Sequence, residues 1–420
     1  MSDQSRHDVI IVGAGLAGLR CAQVLSRRGL DVIVIDRAPH VGGRVHSFDL
    51  DGYIIDEGFQ LINPAYPELR ATGVIPQLDL RRFPAAVTFR TPETEWTLAD
   101  PRRAPWRAVP AVLRGHLPLG DAWALGKVFT ESKFSSVRRL TRGADLPTRD
   151  GFLAAGVSPG TVTNVITPFL QGTLLDSELD TSWHYTRLLL KSFANGRPST
   201  PSNGARTLPR AMVTSMPQVT MELGNRVHRV SATSVDTDMG TRSARAVVIA
   251  TDQDSAAWLM GGGSAGWRAT TTWWFTTPPV AHGERLRLDL VRRSVASILD
   301  VASVAPERAP HRRTLLAVAV NGEHDARRDL EMRTDVARFY NLDRADVELL
   351  TRTTVARALP RIATPLRLNR PATHGDLFVA GDYLQTPSIQ GALVSGRRAA
   401  HEVLAALATP HEDFWPLTRR

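Results

Sequence analysis

The first 36 residues limit what this chain can fold into more than any other stretch. Val9, Ile10, Ile11 and Val12 form a β-branched run of the kind buried on both faces of a parallel sheet. Gly13-Ala14-Gly15-Leu16-Ala17-Gly18 follows without a break, and Leu19, Ala22 and Leu25 then recur at helical spacing up to Gly29. Residues 30–35 are a second β run, closed by Asp36, 18 residues after Gly18. Each part has a physical task. Gly13 permits a tight turn, Gly15 lets backbone N–H groups approach a pyrophosphate, and Gly18 lets the helix lie close to the strand. The first helical turn, with Ala17, supplies positive potential for phosphates. Asp36 accepts hydrogen bonds from a ribose 2′-OH, which favours an unphosphorylated ribose. Strand, glycines, helix, strand and acid in this order predict a dinucleotide-binding βαβ unit. FAD and NAD share that fingerprint.

Composition bounds the class. With 420 residues, 43% hydrophobic and 22% charged, the chain reads as globular, with about two or three domains. The single cysteine, Cys21, excludes an intrachain disulfide and a Cys-rich metal site, and no metal is expected. No apolar run reaches the ~18 residues that span a bilayer. Residues 1–8 carry Asp3 and Asp8 and lead directly into the first strand. A signal or transit peptide is therefore not expected, and a cytoplasmic protein is.

The net charge is +9, and only Lys127, Lys133 and Lys191 of the 51 basic residues are lysine. Residues 101–143 hold nine of them (Arg102, Arg103, Arg107, Arg114, Lys127, Lys133, Arg138, Arg139 and Arg142) against Asp121 and Glu131. Trp106, Val109, Val112, Leu113, Leu117, Leu119, Trp123, Leu125, Val128 and Phe129 are interleaved with them. Basic and apolar residues mixed on helices are the pattern of a segment docking on an anionic membrane, or of a solvated cap over a substrate cavity. No nucleic-acid motif accompanies the charge, so no nucleic-acid partner is expected.

The residues after Asp36 separate FAD from NAD. Arg37-Ala38-Pro39-His40-Val41-Gly42-Gly43-Arg44 resembles the acid-then-GGR signature of the flavoprotein superfamily that contains amine oxidases, protoporphyrinogen oxidases and phytoene desaturases. The resemblance implies that Arg37, Gly43 and Arg44 lie against FAD; it departs from the family in having Asp36 where glutamate is usual. Gly58-Phe59-Gln60, after Asp56-Glu57, is similar to the family segment that passes the flavin ring. Near the C-terminus, residues 377–380 read as a strand, followed by Gly381-Asp382, then Ser388-Ile389-Gln390-Gly391-Ala392 and a helix over 393–407. This resembles the family's closing motif, which implies that Gly381 and Asp382 meet the ribityl or phosphate region. Ser388, Ile389 and Ala392 would then lie at a helix start beside the pyrimidine ring. Val227 stands where the family contacts adenine, and Thr251 ends a strand that returns to the cofactor. A covalent thioether needs a cysteine near the flavin, and Cys21 lies on the first helix, so FAD is expected to be non-covalent.

The implied fold is α/β: a Rossmann-like, doubly wound FAD-binding domain with an inserted α+β substrate domain. Its segments are 1–75, 205–255 and 366–420 for FAD, and 76–204 with 256–365 for the substrate domain and its helical lid. Residues 167–172 and 199–209 resemble the desaturase-like bacterial branch. The expected activity is FAD-dependent hydride transfer from a hydrophobic organic substrate to flavin N5. The alternatives are an amine or amino-acid oxidase, and a non-enzymatic FAD-binding protein. Many amine oxidases of the superfamily place a lysine after a substrate-domain strand; residues 270–279, the nearest match, contain none. The catalytic base is left unassigned, with His184, Tyr185 and His282 as candidates. Trp273-Trp274-Phe275 reads as core packing of a strand or as a pocket wall, and alternation puts Trp273 and Phe275 on one face and Trp274 on the other, so at most part of it faces substrate.

Overall fold

A computed structural model describes residues 7–84, 86–91, 94–99, 115–263, 266–290 and 295–408. The first two strands, His7–Val12 and Val32–Asp36, pair in parallel around the helix Leu16–Ser26. Val9, Ile10 and Ile11 are fully buried, as a strand covered on both faces requires. Thr220–Leu223 extends the sheet beyond Val32–Asp36, and Gly240–Ile249 flanks His7–Val12 on the other side. Leu377–Val379 adds a further parallel strand outside Ile249. The near end of Gly240–Ile249 folds back antiparallel on Ser234–Thr237, which pairs with Val227–Val230. The chain thus winds both ways from the first strand. In such sheets the crevice beyond the C-terminal strand ends, where strand order reverses, takes the ligand.

Two close approaches hold this crevice together. A Cβ on Gly18 would sit 1.9 Å from the Gly13 carbonyl oxygen, so only glycine lets the helix start this near the strand. The closing helix Ile389–Ala408 crosses the first helix with similar tightness, and a Cβ on Gly396 would reach 2.1 Å from the Ala17 carbonyl oxygen.

A seven-stranded sheet stands against this unit, in the order Glu348–Pro360, Trp267–Thr276, Leu316–Asn321, Ser297–Asp300, Leu286–Asp289, Ala86–Arg90, Glu95–Ala99. Only the Leu286–Asp289 and Ala86–Arg90 pair is parallel. Trp273 and Phe275 are buried under the helix Asp329–Tyr340, and Trp274 packs on the opposite face with Tyr53 and Ile55. None of the three lines a cavity. Of the two readings of the triplet, core packing is therefore the one the structure shows, and Thr270 and Thr272, further back on the same strand, face open space.

Helices cover that space: Leu119–Phe134, Thr148–Ala154, Thr167–Leu174 and Trp183–Asn195 share one apolar cluster. Val162–Ile166 is a π-helical turn running into Thr167–Leu174. Its cause is local. Pro168 has no N–H for the helical ladder, and the Thr167 hydroxyl donates to the Val162 carbonyl at 3.0 Å. Of residues 101–143, residues 101–114 lie outside the described residues.

Candidate functional site

A single cavity of about 1440 Å³ runs from the glycine loop to the helical cover. Typical small-molecule sites hold about 300–1,000 Å³, so there is space for a dinucleotide and a second molecule. Of the eighteen residues expected at the cofactor, seventeen line it: Gly13, Gly15, Ala17, Asp36, Arg37, Gly43, Arg44, Gly58, Phe59, Gln60, Val227, Thr251, Gly381, Asp382, Ser388, Ile389 and Ala392. Gly18 does not; its task is the close packing on Gly13 described above, one layer behind the wall.

The loop is built to receive a phosphate. The first turn of Leu16–Ser26 has neither a capping side chain nor an acidic residue, so its N–H groups stay available at the positive end of the helix. A Cβ added to Gly15 would meet no protein atom within 4 Å, which leaves an open cradle over this turn. Gly42 donates from its N–H to the Ala14 carbonyl at 2.9 Å, clamping the second glycine turn against the first. Asp36 accepts from the Ala14 N–H at 2.6 Å and the Ala38 N–H at 2.8 Å. Asp36 lines the cavity, and each carboxylate oxygen keeps a lone pair beyond the one these bonds use. A cradle open at Gly15, a bare helix start and an acid held at the end of the second strand fit the diphosphate and ribose of FAD.

Further along, Arg44 donates to Asp382 at 2.7 Å and to the Ala358 carbonyl at 2.8 Å. Gln60 donates to the Arg44 carbonyl at 2.6 Å. Four distant stretches of chain are thereby fixed at one point of the wall. The closing helix begins at the same wall, where the Ser388 hydroxyl accepts from the Gly391 N–H at 3.0 Å. Tyr185, fully inside the protein, donates its hydroxyl to the Pro387 carbonyl at 3.0 Å.

The three candidate bases do not reach the cavity. Tyr185 is committed to Pro387, and burial holds its phenol well above the ordinary range. His184 is buried beside Asp145, at 3.7 Å, and burial lowers its pKa although Asp145 opposes that. His282 lies on a turn with φ 55°. None of these lines the cavity wall. Tyr66 does, a residue that sequence reasoning did not single out as a proton donor; burial pushes its phenol up to about 12, so it stays protonated. His40, His46 and Glu57 also come together, with the two imidazoles stacked at 3.6 Å and 15°. Parallel rings keep their in-plane lone pairs from converging on one ion.

Beyond the loops the wall changes character. Phe83, Leu125, Phe129, Val165, Ile166, Phe169, Leu189, Phe193, Leu286 and Leu288 surround the space, with Thr270, Thr272 and Ser297 as scattered hydroxyls. Thr272 accepts from the Phe59 N–H at 3.5 Å, and Thr270 donates to the Val320 carbonyl at 3.1 Å.

Comparison with known proteins agrees with this geometry. Residues 16–404 match the family model described as flavin containing amine oxidoreductase. A hydroxyneurosporene desaturase of Rubrivivax gelatinosus is 46% identical over 52 residues, 12% of this chain and 10% of that protein. A putrescine oxidase of Kocuria rosea is 40% identical over 77 residues, 18% of this chain and 16% of that protein. The chain thus matches only a small part of the length of these curated relatives. Among solved structures, an oxidoreductase from Methanosarcina mazei superposes with a TM-score of 0.73 at 16% identity, covering 96% of this chain and 100% of that one. Cyclohexylamine oxidase from Brevibacterium oxydans gives 0.67 at 17% identity, covering 96% and 100%. At these identities the structural likeness speaks for the fold. The family match spans nearly the whole chain, and the chain belongs to the flavin containing amine oxidoreductases.

Proposed function

We propose that this flavin-dependent oxidoreductase is a dehydrogenase or desaturase of a hydrophobic organic substrate. The observation that carries the reading is the apolar wall of the cavity beyond the glycine loops. FAD is held without a covalent bond by the loop of Gly13, Gly15 and Ala17, the Gly43-Arg44 turn and the Gly381-Asp382 turn. Asp36 and Arg37 serve its ribose, Val227 its adenine, and Thr251 the strand end between them. Gly58, Phe59, Gln60, Ser388, Ile389 and Ala392 serve the flavin end. When bound, FAD supplies a hydride acceptor.

The chain's own part is positioning and dehydration. Phe129, Phe169 and Phe193 exclude water and hold an apolar body by its surface rather than by directed bonds. Thr270 and Thr272 offer weak donors and acceptors where the substrate sheet meets the site. Tyr66 stays protonated and orients by donation. No side chain among the cavity-lining residues named here is a free carboxylate on the apolar wall, which suits an uncharged reacting carbon and leaves proton removal to water or cofactor. Product analysis tests this reading: amine oxidation releases ammonia or an aldehyde, and desaturation releases neither. Ammonia or aldehyde formed in step with substrate loss would move the activity to amine oxidation.

The same cover helix supports a peripheral role at an anionic membrane, on the cytoplasmic side. Leu119, Trp123 and Phe134 on Leu119–Phe134 are 77%, 80% and 74% exposed, and Val137 continues the patch. Lys127, Arg138 and Arg139 are exposed beside them. Apolar side chains ringed by cations fit a negatively charged lipid surface. No described helix is long and apolar enough to cross a membrane.

A further inference from the structure

Gly126, Thr130 and Phe134 are both exposed and part of the cavity wall, so the cavity opens along the helix Leu119–Phe134. Lys133 stands at that mouth, also on the wall, with its ammonium 4.8 Å from the centre of the Phe134 ring. Among the described residues, every other charged side chain lining the cavity belongs to the dinucleotide half or, as Arg357 does with Asp252 at 3.1 Å, is paired to it. Among the described residues Lys133 has no carboxylate partner. The helix end beneath it is already neutralised: Lys191 donates to the Lys133 and Ser135 carbonyls, both at 2.8 Å. The helix's own negative end is therefore occupied by another cation, and the Lys133 charge is left for what enters the cavity.

We infer that the substrate is an amphiphile with a long apolar body and one carboxylate terminus, and that Lys133 receives that terminus at the cavity mouth. The inference rests on the reading of the apolar wall as the substrate end, and it adds the substrate's charge. An ammonium beside an apolar slot attracts a carboxylate through a charge-assisted hydrogen bond and repels a protonated amine. Lys133 is a specificity-determining residue here; it acts on which molecule enters and in which direction it lies.

The test is calorimetric binding of hexadecanoic acid, hexadecanol and hexadecylamine to the FAD-loaded protein at low salt, which needs no turnover. The acid is expected to bind about tenfold more tightly than the alcohol, and the amine most weakly. Lys133→Met is expected to bring acid and alcohol to the same affinity, and Lys133→Glu to favour the amine. A melting curve with normal flavin content shows that each variant is folded. Equal binding of acid and alcohol by the native protein, or an acid preference that survives in Lys133→Met, overturns the inference while the apolar reading stands. Failure of all three to bind overturns that reading and the inference with it.

Discussion

At the scale of single residues, two glycines three positions apart do different work, and substitution separates them. Gly15 has φ −72° and ψ 174°, which any residue adopts, and its Cβ position is open. Gly15→Val is therefore expected to fold, with stability within about 1 kcal/mol of native apoprotein, and to lose FAD, read as loss of yellow colour on purification. At Gly18 a side chain would strike the Gly13 carbonyl, so Gly18→Ala is expected to cost about 3 kcal/mol, visible in denaturant melts of the apoprotein. Full flavin occupancy in Gly15→Val would overturn the phosphate cradle. A third residue reports on pH. Burial pushes the Asp300 carboxyl up to about 6, although N–H groups of Leu315 and Ala302 bond to it. Because its folded pKa lies above the unfolded one, its contribution is most favourable below about pH 4 and is lost as pH rises through about 6. Asp300→Asn keeps the acceptor oxygen without the charge. It is expected to be more stable than native by about 2–3 kcal/mol at pH 8, with the gap closing by pH 4.5. A gap independent of pH would contradict the assignment. The glycines, Asp36 and the Gly43-Arg44 turn were legible in the sequence because each sits at a fixed distance from a strand end. Tyr66, Lys133 and the pair Thr270 and Thr272 were not, since only the packing of separate segments turns them toward one cavity.

At the scale of elements, strand runs and the βαβ unit were readable because burial on both faces leaves an unbroken β-branched pattern. The closing helix starts at Ile389, four residues before the expected 393, because the Ser388 hydroxyl closes its first turn onto Gly391. The aromatic triplet is core on both sides: alternation, readable in the sequence, puts Trp273 and Phe275 on one face of the sheet and Trp274 on the other, and only the packing shows that both faces are covered there. The cover helix yields a prediction of its own. Liposomes with anionic lipid are expected to sediment the protein at low salt and release it at high salt. Trp123→Ser combined with Leu119→Ser is expected to reduce binding about tenfold or more, since the two side chains bury most of the exposed apolar surface of that face. Absence of binding to anionic vesicles at low salt would remove the membrane role.

At the scale of the whole molecule, two sheets face each other across one cavity, polar and glycine-lined at one end and apolar at the other. On the function proposed above, the first end is the place for FAD and the second for an apolar substrate. A thioether to the flavin is not expected, since Cys21 is buried on the first helix, and acid precipitation is expected to leave all yellow colour in the supernatant. This division of the cavity is tested by anaerobic bleaching of the bound flavin, followed by absorbance, against matched panels of polyenes, porphyrinogens, amines and amino acids. Bleaching by an apolar polyene or porphyrinogen, with amines and amino acids inert, is the predicted result. Bleaching by an amine or amino acid alone would contradict it.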